Sequence, residues 1–228
     1  IALCDGLTSS NPKGGSPLPG MAESWTLSDD GTIYIFNINK NAKWSNGDQV
    51  VANDFVWSWK RVLTPSLGSQ YTDMLYYVKN AKAFYNGEIE DFSEVGVKAI
   101  DEYTLEVVLE NPTPFFLGLL SHYSTWPVHK DTVLKHGDID DRNGQWTRPG
   151  NFVCNGPFQL KSWELNNKIV VEKNPFYWDS EVVKLNEIHF YPISNSMTED
   201  RMFRAGQLHY TTTVPSCLLY TSPSPRDT

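Results

Sequence analysis

The chain has 228 residues, 40% hydrophobic and 13% aromatic, enough to bury the core of one large or two small domains. Its formal net charge of -8 at pH 7 disfavours a nucleic acid or an anionic membrane as partner, because both require a basic surface. The three cysteines, Cys4, Cys154 and Cys217, form no CxxC pair and no zinc-ligand spacing, so neither a disulfide framework nor a metal site is expected.

The predicted elements begin with the tail of a helix over residues 1–7, followed by a loop rich in Gly and Pro over 9–20. An Asp-Gly turn at 28–31 separates two segments in which apolar and polar residues alternate. This pattern predicts a β-hairpin made of residues 23–27 and 32–38.

Residues 41–65 predict a short strand that ends at Trp44, a tight turn, and an amphipathic helix from about 53 to 63. Asp54 lies in the first turn of this helix and basic residues lie in its last turn, an arrangement that complements the helix dipole. The helical spacing predicts one apolar stripe, and we assign Trp44 and Trp59 to the core. The stripe consists of Phe55, Val56, Trp59, Val62 and Leu63.

The middle of the chain predicts a helix over residues 71–84, then a second hairpin made of 95–100 and 104–110. Two short helices follow, over 115–120 and 129–136. The strand 104–110 alternates apolar and polar residues, which is typical of a strand that buries one face.

The polar segment 138–150 is predicted to be a loop and contains the best candidate for a calcium site, residues 138–144. An EF-hand loop places Gly sixth and Glu twelfth, whereas here Gly144 is seventh and Pro149 is twelfth. The chain also has no GxSxG motif and no Walker loop. We therefore expect no metal, no cofactor and no catalytic activity.

The C-terminal part predicts a third hairpin made of residues 158–165 and 168–173. Further along, Ser196 and Glu199 form a capping box that predicts the start of a helix. From Cys217 onwards the sequence has no period and two Ser-Pro pairs, so we interpret 217–228 as a non-native or disordered tail. The remaining predicted elements are a strand over 187–193, the helix over 196–204 and a strand over 208–213.

Two adjacent motifs, AKWSNGD at 42–48 and AxDFVxSWxR at 52–61, resemble the signature of the oligopeptide-binding proteins. These proteins, solute-binding family 5, are the extracytoplasmic receptors of bacterial ABC peptide importers. Val51 departs from the family, which commonly has a threonine there as helix N-cap. Further matches follow in the same order over roughly residues 1–216: GMAESW at 20–25, GVKAID at 96–101, TLEV at 104–107, PGN at 149–151, NG at 155–156 and RAG at 204–206.

The resemblance implies a mixed α/β (α+β) fold: a type II lobe like that of periplasmic binding proteins, with an additional small α+β domain. We expect residues 1–4 and 129–216 to form part of the first lobe and residues 5–128 to form the small domain. The second lobe is expected to be absent. Because Ile1 starts in what resembles the middle of a helix, we interpret the chain as truncated, with any secretion signal upstream.

The function implied is that of the substrate-binding component of an ABC importer, which holds extended oligopeptides in an interlobe cleft through main-chain hydrogen bonds. Its partners would be a peptide ligand and a membrane permease, and we expect a monomer without bound nucleic acid. The location would be periplasmic, or lipid-anchored on the cell surface of a Gram-positive source. Without the second lobe, we expect this chain to bind short lysine-containing peptides no more tightly than millimolar.

Four residues are candidate ligand contacts, and each also has a purely structural interpretation. Tyr71 and His122 match a family tyrosine that faces the peptide and a histidine near its path, but Tyr71 can also pack at the surface and His122 can also bond the backbone. Trp126 beside Pro127 is placed either to stack on a ligand or to pack in the core. Asn155 lies either at the cleft or in a turn before a strand.

The alternative hypothesis is a carbohydrate-active enzyme or sugar-binding domain. It would use the 8 Trp residues as sugar platforms and two carboxylates as acid and base. Two carboxyl groups roughly 5–10 Å apart in one Trp-lined cleft would favour this alternative. Unpaired hydrophobic surface at the docking face of a second lobe would favour the binding protein.

Overall fold

The structure is a computed structural model and describes residues 2–218. The described chain divides into two compact units by its contacts. The first unit contains residues 2–163 and 170–188, and the second contains residues 164–169 and 189–218. The predicted division at residue 128 lies within the first unit and stays a prediction. No helix of the described residues combines the length and the apolar character needed to cross a membrane.

The described residues form strands and α-helices joined by loops and short 3₁₀ helices, which is the mixed composition predicted from the sequence. The strands are β1 (Thr8–Ser9), β2 (Leu18–Pro19), β3 (Ala22–Leu27), β4 (Ile33–Ile38), β5 (Val97–Ala99), β6 (Thr104–Val108), β7 (Phe158–Glu164), β8 (Lys168–Lys173) and β9 (Glu187–Phe190). The α-helices are α1 (Ala52–Leu63), α2 (Ala81–Tyr85), α3 (Phe116–Leu119), α4 (Lys130–Lys135) and α5 (Ser196–Arg204).

The centre of the first unit is an antiparallel four-stranded sheet in the order β3-β4-β6-β5. On β4 every second side chain is buried, and Phe36 lies opposite Leu105 of β6 in the register. The antiparallel pairs β3–β4 and β5–β6 are the two hairpins predicted in this part of the sequence, and both are confirmed. Smaller sheets are formed by β1 with β2 and by β7, β8 and β9 in that order.

Helix α1 supplies much of the core that packs on this sheet, as its apolar stripe predicted. Trp59 is 0% exposed, and its indole Nε1 donates a hydrogen bond to the carbonyl of Thr125 at 2.8 Å. Trp44 is also buried, so both tryptophans are confirmed as core residues. The Asp54 carboxylate accepts from the Val51 backbone N–H at 2.9 Å, which satisfies one donor at the end of the helix where the family threonine is missing.

Two expectations near the N-terminus are wrong. Residues 2–7 form no helix: the carbonyls of Ala2 and Leu3 instead accept from the backbone N–H groups of Phe158 (3.1 Å) and Gly156 (3.0 Å). A neighbouring segment satisfies these backbone groups, so no helix is needed. The strand expected at Trp44 is reduced to a single bridge between Lys43 and Gln49, because the turn that follows reverses the chain at once.

The single helix predicted over 71–84 is also wrong. Tyr71 and Asn80 have positive φ angles of 61° and 59°, which interrupt a right-handed helix. Between them lie a 3₁₀ helix, Thr72–Leu75, and a bridge from Val78 to Leu109 at the sheet. The pairing of this segment with the sheet therefore prevails over its helical periodicity, and only α2 is α-helical.

In the second unit, α5 is confirmed but its cap is shifted by one residue. Asn195 is the N-cap, and its Oδ1 accepts from the backbone N–H of Thr198 at 3.0 Å. The strand predicted over 208–213 does not form, because the Glu199 carboxylate instead bonds the Thr212 N–H and the Thr213 hydroxyl. Of the predicted tail, residues 217 and 218 end a 3₁₀ helix, and 219–228 lie outside the described residues.

Candidate functional site

Three aromatic rings from two separate segments meet at the surface of the first unit. The Tyr71 ring lies edge-on to His122, with ring centroids 5.3 Å apart, and to Tyr123 at 5.9 Å. His122 and Tyr123 are 4.1 Å apart. Tyr71 is 46% exposed and Tyr123 is 59% exposed, so two of the three residues in this aromatic cluster are open to solvent. The structure thus brings together the two candidates that the family resemblance supplied.

Local backbone geometry holds the aromatic cluster in place. Tyr71 adopts the left-handed conformation at the start of the 3₁₀ helix Thr72–Leu75, a position that a non-glycine residue rarely takes. His122 begins the next 3₁₀ helix, Tyr123–Thr125, where its Nδ1 accepts from the Ser124 backbone N–H at 3.4 Å and lies 2.8 Å from the Ser124 hydroxyl. The backbone contact expected for His122 is therefore present, while its ring still contacts Tyr71.

Tyr123 was not predicted from the sequence, although it follows His122 directly. Loss of solvation raises the pKa of the Tyr123 phenol, and the neighbouring Tyr71 phenol raises it further. The raised pKa keeps the Tyr123 phenol neutral at physiological pH, so its hydroxyl can both donate and accept hydrogen bonds. The signal that would have found Tyr123 is the run of two adjacent aromatic rings at 122–123.

Trp126 ends the 3₁₀ helix Tyr123–Thr125, where its backbone N–H donates to the carbonyl of Tyr123 at 3.3 Å, while its indole ring packs on Gly6. A Cβ atom added to Gly6 would lie 2.4 Å from the Cδ1 atom of Trp126, so the indole ring rests against this glycine. The Trp126 Nε1 atom is buried and has no hydrogen-bond partner among the described residues. No ring contact joins Trp126 to the cluster within residues 2–218.

Asn155 is 1% exposed, and both ends of its amide bind one backbone segment. Its Oδ1 accepts from the N–H of Asp5 and its Nδ2 donates to the carbonyl of Asp5, both at 3.0 Å. The Asp5 carboxylate accepts from the Tyr177 hydroxyl at 3.0 Å. Burial raises the pKa of Asp5, against the lowering effect of its hydrogen bonds from Tyr177 and Ser9. Asn155 thus holds the Asp5 segment, and its polar atoms are already occupied.

A cavity of about 250 Å³ adjoins the loop that precedes Tyr71. The Arg61 guanidinium lies over the Trp146 ring at 5.7 Å and donates to the carbonyl of Asp141 at 3.2 Å. Burial lowers the pKa of Arg61, and the nearby Asp141 and Asp140 oppose this effect. Arg142 bonds the carbonyls of Leu67 and Gly68. Arg142 and one nitrogen of Arg61 are thus bound to backbone carbonyls, whereas the buried Arg61 Nε has no hydrogen-bond partner among the described residues.

The described part of the chain contains no cluster of side chains suited to a metal ion. Among the described residues, no group of three or more His, Cys, Asp or Glu side chains is placed to hold a metal ion. Asp138–Gly144, the best calcium candidate in the sequence, belongs to no such group. The cavity beside Arg61 is not lined by any carboxylate. The site therefore offers open aromatic surface rather than paired acid and base groups.

Comparison with known proteins places this chain in a family. Residues 16–219 match the family model described as "Bacterial extracellular solute-binding proteins, family 5 Middle". The chain belongs to this family. One relative, the periplasmic oligopeptide-binding protein OppA of Salmonella typhimurium, is 40% identical over 211 residues, which are 92% of this chain and 37% of the relative.

Solved structures of OppA proteins agree with the fold described above. The structure of OppA from Burkholderia pseudomallei matches with a TM-score of 0.90 and 38% identity, over 97% of this chain and 42% of that protein. OppA from Haemophilus influenzae, solved in complex with RPPGFSPFR, matches with a TM-score of 0.89 and 35% identity, over 96% of this chain and 42% of that protein. The predicted mixed α/β fold of the periplasmic binding-protein type is thus confirmed, and the chain spans about two fifths of these relatives.

Proposed function

We propose that this chain forms one wall of the peptide-binding cleft in the substrate-binding component of an ABC peptide importer. The observation that carries the proposal is the exposed aromatic cluster of Tyr71, His122 and Tyr123 in a member of family 5. Open aromatic faces supply contact area without charge, and neutral phenols can bond a peptide main chain. Such contacts tolerate many ligand sequences, which suits a receptor for mixed oligopeptides.

The remaining candidates take different roles in this proposal. Trp126 and Asn155 support the wall from behind rather than by direct contact: Trp126 packs on Gly6, and Asn155 fixes Asp5. Residues 1–4 and 129–216 would belong to a first lobe and 5–128 to a small additional domain. The opposite wall would come from sequence that corresponds to the rest of the relatives' length, since this chain spans 37% of the Salmonella protein.

The partners and location follow from the same proposal. The ligand is an extended oligopeptide, and the bound receptor delivers it to a membrane permease outside the cytoplasm. A periplasmic location fits the name of the Salmonella relative. In a Gram-positive source, the receptor would instead be held at the cell surface by a lipid anchor. The receptor acts as a monomer, without a cofactor, without nucleic acid and without catalysis. Closure of two lobes on the peptide would favour the bound state.

The carbohydrate-active alternative has less support. It requires two carboxylates roughly 5–10 Å apart in a Trp-lined cleft. Trp146 lines the cavity beside Arg61, but no Asp or Glu does. Trp44 and Trp59 are buried in the core and offer no platform for a sugar.

A chimeric receptor tests the proposed function. Residues 16–216 of this chain replace the matching segment of the Salmonella OppA, and calorimetry measures the binding of trilysine. We expect micromolar binding by the chimera and no binding tighter than millimolar by residues 1–228 alone. Tyr71→Ala in the chimera should weaken binding by about 2- to 10-fold, the effect of one aromatic contact.

Tyr77 provides the matched control, because it is a partly exposed tyrosine whose ring contacts Phe115 and not the aromatic cluster. Tyr77→Ala should leave the affinity of the chimera unchanged. A folded chimera that binds trilysine equally well with and without the Tyr71 ring would contradict the assignment of the wall. Micromolar binding by residues 1–228 alone would show that the binding determinants lie within this chain.

A further inference from the structure

A second, larger cavity lies on another part of the first unit, between α1 and the edge strand β5. It is an open groove of about 640 Å³, which we call the α1–β5 groove. Its apolar part is lined by Val56, Trp57, Phe92 and Val97, and its cationic part by Lys60, Lys98 and Lys130. None of the residues of the aromatic cluster lines it.

The α1–β5 groove is basic on a chain that is otherwise acidic. Three lysines and one carboxylate, Asp91, line it, whereas the chain as a whole carries a net charge of -8. Asp91 is already engaged, because it accepts from the backbone N–H of Ser93 at 2.8 Å. Within the described residues, none of the three lysines forms an ion pair. Lys60 also lies over the Phe92 ring, with its Nζ 6.0 Å from the ring centroid. The groove therefore presents positive charge, not neutralised by salt bridges among the described residues, beside apolar surface.

Strand β5 also offers unpaired backbone groups to this groove. It is the outermost strand of its sheet and pairs on one side only, with β6. The bonds from Val108 N–H to the Gly96 carbonyl and from Ile100 N–H to the Thr104 carbonyl show that residues 96 and 100 face β6. In an antiparallel pair, the backbone groups of successive residues point alternately toward the partner strand and away from it. The N–H and carbonyl of Ala99 therefore point to the free edge of β5, where no described residue bonds them.

We propose that the α1–β5 groove binds an extended, acidic segment of a partner protein by strand addition to β5. An added strand would pair with the free backbone groups at Ala99, while its apolar side chains contact Trp57 and Val56 of α1. Carboxylates on the segment would meet Lys60, Lys98 and Lys130. Charge complementarity favours an acidic partner over a basic one, and it disfavours a second copy of this acidic chain.

The test uses the full chain of 228 residues and a fluorescein-labelled peptide of alternating Asp and Val, with alternating Lys and Val as the opposite-charge control. Fluorescence anisotropy should show micromolar binding of the acidic peptide, weakened by salt, and no binding of the basic peptide. Reversing the three groove lysines should weaken binding by about 30-fold. The triple variant is Lys60→Glu, Lys98→Glu and Lys130→Glu. A matched variant with the same change of charge is Lys13→Glu, Lys135→Glu and Lys184→Glu, and it should weaken binding less than about 3-fold.

A backbone variant separates strand addition from charge attraction alone. Ala99→Pro removes the free N–H at an edge position that tolerates proline, and it should weaken binding by about 10-fold, whereas Ala99→Ser keeps the N–H and should have no effect. Tyr71→Ala should also have no effect, because the aromatic cluster does not line the groove. Circular dichroism confirms that each variant is folded.

Several results would overturn this proposal. These are equal binding by the groove and control triple variants, full affinity in a folded Ala99→Pro variant, and loss of binding in Tyr71→Ala. Analytical sedimentation gives one more such result. If the unmodified chain forms dimers and the groove triple variant is monomeric, the groove binds a second copy of this chain, and the proposal is refuted.

Discussion

Replacing Asn155 by alanine tests how the first unit joins two segments that are 150 residues apart in sequence. The side chain is 1% exposed and makes two hydrogen bonds of 3.0 Å to the backbone of Asp5. Alanine would leave the N–H and the carbonyl of Asp5 without these partners, at a cost of about 1–3 kcal/mol each when they are buried. Because the Asp5 segment is only partly buried, we expect a total loss of about 2–4 kcal/mol in the free energy of unfolding.

Urea denaturation followed by circular dichroism at pH 7 measures this loss. With a slope of about 2 kcal/mol per molar urea, the midpoint should fall by about 1–2 M. Asn143→Ala is the control, because Asn143 is exposed and should change stability by less than about 0.5 kcal/mol. A loss below about 1 kcal/mol for Asn155→Ala would refute the claim that this amide holds Asp5 in place.

Three further predictions concern the same unit. Because burial raises the pKa of Asp5, the folded state binds its proton more tightly than the unfolded state, so this residue's contribution to stability falls as pH rises above about 4. Thermal denaturation at pH 4 and pH 7 measures this effect. Asp5→Asn should reduce the change in melting temperature between the two pH values and should stabilise the protein at pH 7. A change in melting temperature equal to that of the unmodified protein would contradict the prediction. Gly156→Ala places a Cβ 2.6 Å from the carbonyl carbon of Leu3, so urea denaturation should show a loss of about 1–3 kcal/mol in the free energy of unfolding. An unchanged free energy of unfolding would show that Gly156 packs less closely on the Leu3 backbone. Trp59→Phe removes the bond to the carbonyl of Thr125 and leaves a cavity, so the same assay should show a loss of about 2–4 kcal/mol, with a loss under about 1 kcal/mol counting against its core role.

The elements that the sequence predicted correctly are those whose pattern is local. The hairpin of β3 and β4 has both an Asp-Gly turn and alternating strands, and Gly31 takes a positive φ of 72° in the turn. Helix α1 has an apolar stripe, an acidic first turn and a basic last turn, and the structure places it within one residue of the expected start. In both cases several independent signals in a short window agree.

The elements that the sequence missed depend on distant partners. The helix expected over residues 71–84 fails because Val78 pairs with Leu109, and no pattern within the segment reports that pairing. The helix tail expected over residues 1–7 fails for the same reason, since Leu3 bonds Gly156. Tertiary pairing overrides local propensity at both places.

The candidate site shows the same limit. Tyr71 and His122 could be named from the family motif, but their ring contact depends on how the two 3₁₀ helices pack. The burial of Asn155 against Asp5 likewise has no signature in either segment alone. The sequence could therefore nominate candidate residues, whereas their contacts and their division between exposed and buried side chains required the structure.

The most direct test of the account is mass spectrometry of the ligands that co-purify with the full-length protein that carries this sequence. The account predicts short peptides of mixed sequence, released on denaturation. A single sugar or a metal complex in place of peptides would contradict it.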